Sequence, residues 1–185
     1  MCFLNLGPYD VEFDISSFSG TATEDDYVIA SSYANGVRYI KFEAYYSSDD
    51  GQVNLNKIKA LLSDGTNVAC GKSGYANSYQ GGGWDSNGSN VTNCNGGGRW
   101  SSNRNDPGPS ETEPHYIVVD LEEIYDLDSI EIVGDNWDMS FSVLVSNDDQ
   151  NWANIGTYTN YYLEQVVFMD PDGSGGFTIP SGETS

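Results

Sequence analysis

The sequence predicts an all-β protein, an antiparallel β-sandwich or jelly roll. Runs that alternate apolar and polar residues recur along the chain, in its second half at a spacing of roughly 11–14 residues. Gly, Ser, Asn and Asp punctuate those runs with turn chemistry. The aromatic content (13 Tyr, 7 Phe and 4 Trp in 185 residues) is enough to build a folded core.

The elements follow in order. Tyr9 to Ser16, "YDVEFDIS", alternates strictly and puts Tyr9, Val11, Phe13 and Ile15 on one face. "DYVIASSY" follows a Gly/Thr/Asp-rich break. Gly36 to Tyr46 reads as a longer strand. Val53 to Leu62 has helical propensity, but its Asp-Asp-Gly and Ser-Asp-Gly flanks and the alternation of Asn56, Ile58, Ala60 and Leu62 favour a strand. Ser63 to Pro114 shows little periodicity, and so long an irregular stretch inside a domain usually carries function. Strands resume at His115–Leu121, Ser129–Gly134, Phe141–Ser146, Trp152–Thr159 and Leu163–Met169. Ile130, Ile132, Phe141, Val143 and Val145 alternate inward on what read as two facing strands. The expected division is an N-terminal segment over 1–35, a sandwich over 36–170 and a loose tail over 171–185.

Net charge is −21, with seven Lys and Arg and none after Arg104. Such a surface repels phosphate backbones and anionic lipid, which argues against nucleic acid and simple membrane adsorption. It suits neutral glycans, cations or saline surroundings, or serves solubility alone. No apolar run approaches the length of a membrane span, and the start lacks the basic region of a signal peptide.

Within the irregular stretch, "SYQGGGWDSNGSN" displays Trp84 with no apolar neighbour in sequence. The indole either folds down as a lid on the sandwich or waits for an external partner. Cys70 and Cys94 bracket this loop. A bridge there would contribute roughly 3 kcal/mol by closing about 25 residues; two buried free thiols are the alternative. The odd count, with Cys2, argues against a full disulfide framework.

Four pieces now stand in one order: Asn67-Val68-Ala69, Asn93 to Trp100, Val119-Asp120-Leu121, and Ser146 to Trp152. Together they resemble the discoidin, or coagulation-factor C-type, domain, whose galactose-binding-like jelly roll is shared by family 32 carbohydrate-binding modules. The resemblance covers Thr66 to about Thr159. Asp120, set among Ile117, Val118, Val119 and Leu121, is expected to accept backbone or Trp hydrogen bonds. Trp100 and Trp152 are expected to plug the core. The family's closing strands, matched here by "VRYIKFEA" and "NLNKIKAL", come first, which suggests a circularly permuted, viral or phage-type member.

The resemblance implies loops at one end of the barrel that bind a ligand. The residues placed there are Asn77, Tyr79, Trp84, Asp85, Arg99, Asn103, Arg104 and His115, with Gln80 and Asn87 beside them. An indole can stack on a sugar's C–H face while amides bind its hydroxyls. Lipid binding is disfavoured because this loop lacks flanking basic residues. The resemblance also implies a structural Ca²⁺, but its carboxylate positions hold Asn93 and Lys57, so a Lys57 ammonium would compete for the site. "DPDGSGG" near the end offers Asp170 and Asp172 in what reads as a plain turn. Asn87 and Asn90 begin glycosylation sequons that matter only on a eukaryotic secretory route.

The sequence is compatible with two function classes and argues against a third. The leading one is a non-catalytic, lectin-like module, extracellular or on a virion surface, with glycans or glycoproteins as partners. The second is a structural or assembly protein, such as a virion surface component or extracellular filament subunit, joining other copies through the N-terminal strand. An enzyme is disfavoured: the acid pairs Glu122-Glu123 and Asp148-Asp149 do not converge, and no nucleophile–base motif is visible.

Overall fold

The computed structural model describes residues 36–81 and 88–169. The expectations for Tyr9–Ser16, "DYVIASSY", Trp84, Asp85, Asn87 and the "DPDGSGG" turn lie outside these residues. The described chain holds seven strands and no helix: β1 (Val37–Ser47), β2 (Asn54–Leu61), β3 (Gly74–Ala76), β4 (Trp100–Ser101), β5 (His115–Tyr125), β6 (Ser129–Ser146) and β7 (Ala153–Met169). All pairings are antiparallel, in the order β3-β5-β1-β6-β2-β4, with β7 also on β6.

Where four separate strands were expected after residue 129, there is one long hairpin. β6 has 18 residues and β7 has 17. The C-terminal half of β6 pairs with β1 (Phe42 opposite Val143), and its N-terminal half pairs with β2 (Ile58 opposite Ile132). β7 follows β6 through both halves, with a register break between Val133 and Trp137. The hairpin therefore bends and belongs to two layers: β3-β5-β1-β6-β7 on one side and β4-β2-β6-β7 on the other. At "GDNWD" the strand bends, with a positive φ of 63° at Asn136, and pairing with β7 resumes at Trp137.

The bend requires close approach. A Cβ on Gly134 would lie 2.4 Å from the Leu163 carbonyl oxygen, and one on Gly156 would lie 2.3 Å from the Phe168 ring. The core fills the space between the layers. Phe42 and Tyr158 both stack on Phe141 at 5.0 Å, and Tyr158 meets Phe168 edge-on at 6.1 Å. Ile130, Ile132, Phe141, Val143 and Val145 are all buried, as their alternation required, but on one bent strand.

β2 is a strand, and both early strands pair with late ones: β1 with β5 and β6, β2 with β6. Val37 pairs with Tyr125 and Met169 with Ser129, so both described ends flank the turn at 126–128. The opposite rim carries the β1–β2 connection, the bends of β6 and β7, the segments after β3 and β4, and the start of β5.

Asn67-Val68-Ala69 forms a single bridge from Asn67 to Leu61 followed by a turn. One sequence expectation fails at the residue level: Trp152 does not plug the core. Its half-buried ring lies over the Lys41 ammonium, 4.7 Å from ring centre to Nζ, on the outer face of the larger layer.

Candidate functional site

A cavity of about 310 Å³ opens on the rim opposite the described ends, lined by Asn77, Ser78, Asp106, Pro107, Glu113, Pro114, His115 and Tyr116. Three chain segments form it: the exit from β3, the 102–114 segment and the start of β5. Asn77 locks the first to the third. Its Nδ2 donates to the Pro114 carbonyl (2.7 Å), and its Oδ1 accepts from the Tyr116 amide (2.8 Å). Ser78 locks the first to the second: its hydroxyl donates to Asp106 Oδ2 (2.7 Å) and accepts from the Asn103 amide (2.9 Å). Beneath them, fully buried Trp100 donates from Nε1 to the Ser78 carbonyl at 2.9 Å. The expected core tryptophan is thus also the strut under the cavity.

His115 is 6% exposed and forms part of the wall. Burial, the larger effect, lowers its pKa below the ordinary 6.5 despite a hydrogen bond to the Pro107 carbonyl and the nearby Asp106 charge. The ring is neutral at pH 7, and its Nδ1 has no hydrogen-bond partner. A buried acceptor left this way costs about 1–3 kcal/mol.

Of the residues the sequence placed here, Asn77 and His115 line the cavity. Asn103 braces it, donating from Nδ2 to Asp106 Oδ1 at 3.2 Å. Arg104 lies beside it, held by Gln52 Oε1 at 3.1 and 2.9 Å, and Gln52 in turn contacts Gln80. Tyr79 stands 48% exposed between Ser78 and Gln80. Arg99 does not join the group: its guanidinium pairs with Asp135 on the β6 bend at 2.9 Å. Sequence reasoning missed Asp106, Glu113 and Tyr116. The Asn-Asp-Pro-Gly turn and the Pro-His entry to β5 were the available signals.

Asp120 accepts a backbone hydrogen bond, as expected, from the Glu122 amide at 2.7 Å, and in addition forms a two-pronged pair with Arg38 (2.9 and 3.0 Å). The Arg38 hydrogen bond, above all, lowers its pKa. The pair is partly exposed, on the outer face, and worth little to stability.

Lys57 settles how the "CNGGG" turn is held. Its ammonium donates to the carbonyls of Asn93 and Gly96, the latter at 2.9 Å. Burial, and then the Lys59 charge, lower its pKa. Among the described residues, no three His, Cys, Asp or Glu converge as metal ligands. A hard cation wants carboxylates, and a cation already sits on the carbonyls, so the residues present do not fit Ca²⁺. Cys70 and Cys94 are joined by a disulfide with Cα atoms 5.4 Å apart, closing this turn against the 67–71 segment. The Asn90 sequon is engaged in the fold: its Nδ2 donates to the Arg99 carbonyl at 3.3 Å, and the Thr92 hydroxyl donates to the Lys72 carbonyl.

The late Ser-x-Asp turn is built as the resemblance implies. Ser146 Oγ accepts from the amides of Asp148 and Asp149, and Asp148 Oδ1 accepts from those of Gln150 and Asn151 at 2.9 and 2.8 Å. Those amides, Asn151 first, hold the Asp148 carboxyl well below its usual range. No curated protein and no solved structure matches the chain significantly. The family model for the F5/8 type C domain matches residues 73–174, more than half of the chain. The match takes in β3 to β7, the Ser-x-Asp turn and every residue lining the cavity, and with the antiparallel sandwich around them it makes this chain a member of the F5/8 type C, or discoidin, family.

Proposed function

We propose that this domain is a non-catalytic carbohydrate-binding module whose rim cavity takes one neutral sugar unit, and that it works outside the cell or on a virion surface. The cavity lining carries the reading. It is lined by two carboxylates, an amide, an imidazole and a tyrosine, with no lysine or arginine. Neutral hydroxyl-rich ligands suit such a wall, and its volume falls at the lower end of the usual range for small-molecule sites, about 300–1,000 Å³. Phospholipid, the family's other common ligand class, brings phosphate, which these carboxylates and the net charge of −21 repel. Trp84, three residues beyond Gly81 at this rim, is assigned as the stacking residue.

The test is a glycan array beside sedimentation with anionic vesicles. Glycan-selective binding without vesicle binding is expected. Trp84→Ala should abolish it while changing stability by less than about 1 kcal/mol. Trp100→Ala should instead cost roughly 3–5 kcal/mol in chemical unfolding. Vesicle binding, or early melting of Trp84→Ala, would contradict the reading. An assembly or filament subunit would show a polymer by light scattering, and glycan binding by a monomer excludes that as the main task.

A further inference from the structure

Among the described residues, β7 is the long strand with one edge unpaired. Among the described residues it pairs with β6 alone, so its second edge has no strand partner over 17 residues. Natural edge strands are usually guarded by lysine, proline or extreme shortness. β7 has neither Lys, Arg nor Pro, and its single charge is Glu164. Its stretch Gln165–Met169 runs in unbroken register with Val133–Ser129, which leaves a regular ladder edge.

The core is also slightly less well sealed along Gln165–Met169. Every apolar core residue from Val37 to Val145 is 0% exposed, as is Leu163, whereas Val166 and Phe168 keep 7% each. The open backbone edge and this slight exposure fall on the same stretch of β7.

We propose that Tyr9–Ser16 of the same chain supplies it, adding a strand to the outer edge of β7 and laying Tyr9, Val11, Phe13 and Ile15 over the seam. Three observations select this segment. Its strict alternation gives one apolar face to cover the seam and one acidic face, Asp10, Glu12 and Asp14, for solvent. Among the described residues, the other long stretch of open edge, β5 beyond its pairing with β3, carries Glu122, paired with Lys72, and Glu123, whose charge disfavours that acidic strand. The tether is also long enough. β7 lies two strands from β1, about 10 Å, and the residues from Ser17 to Gly36 span up to about 65 Å. Attachment within one chain then outcompetes a second copy at ordinary concentrations.

Hydrogen exchange on the full-length protein tests this. In the wild type, peptides covering Leu163–Phe168 should exchange slowly. In a Val11→Asn/Phe13→Asn variant they should exchange at least about ten-fold faster, while peptides from β1 keep their protection and both proteins remain monomeric. If β1 also loses protection, Phe13→Ser alone is read in the same way. Equal β7 exchange in wild type and variant would overturn the proposal. So would protection that disappears on dilution together with a dimer in light scattering, which assigns the edge to a second copy. Protection lost only when 171–185 are deleted would assign it to the C-terminal tail.

Discussion

His115 concentrates the site's chemistry in one ring. Its entry to β5 buries it, burial keeps it neutral, and neutrality leaves Nδ1 an acceptor without a donor. A histidine whose folded pKa is lowered adds stability that is complete above its unfolded value of 6.5 and is lost as pH falls through the folded value. Between about pH 7.5 and 5.5 the wild type should therefore lose more melting temperature than His115→Phe, because the variant has no proton to take up there. An equal loss in both would mean the ring is not held neutral. The residue was legible in the sequence as the only His, beside a proline at a strand start. Its cavity neighbours Asp106 and Glu113 were not, because chain folding rather than spacing brings residues 77, 106 and 115 together.

At the scale of elements, the "CNGGG" turn shows a local substitution that keeps the fold. A disulfide ties its start, and the Lys57 ammonium gathers its carbonyls from the neighbouring strand. Millimolar Ca²⁺ or a chelator should leave the wild-type melting temperature unchanged. Lys57→Glu removes the ammonium and adds a carboxylate beside the same carbonyls, so its melting temperature should rise on adding Ca²⁺. A Ca²⁺ response in the wild type would show that Lys57 is displaced and the cation site survives. The pairing of Lys57 with this turn was legible because the resemblance placed both at one site. The continuity of β6 and β7 was not: Gly134, Asp135 and Asn136 interrupt the alternation, and only the ladder to β7, which breaks after Val133 and resumes at Trp137, shows one bent strand rather than two.

For the whole molecule, the sandwich was readable because each layer is recorded as alternation in its own strands, and β1 and β2 announced partners late in the chain. Both described ends lie close to the 126–128 turn, which is the geometry that a circular permutation would require. The rim loops were legible only as a region, since their conformation rests on single contacts such as Ser78 to Asp106 and Asn77 to Pro114. The functional claim is that this rim, and the cavity in it, meets a neutral sugar. Titration of the isotope-labelled protein with the best array glycan, followed by amide chemical shifts, tests it most directly. The account predicts a dissociation constant of about 0.1–1 mM, or roughly 4–5.5 kcal/mol, with the largest shifts at Asn77, Ser78, Asp106, His115 and Tyr116. Saturable shifts confined to another face of the sandwich, with these five amides unmoved, would contradict it.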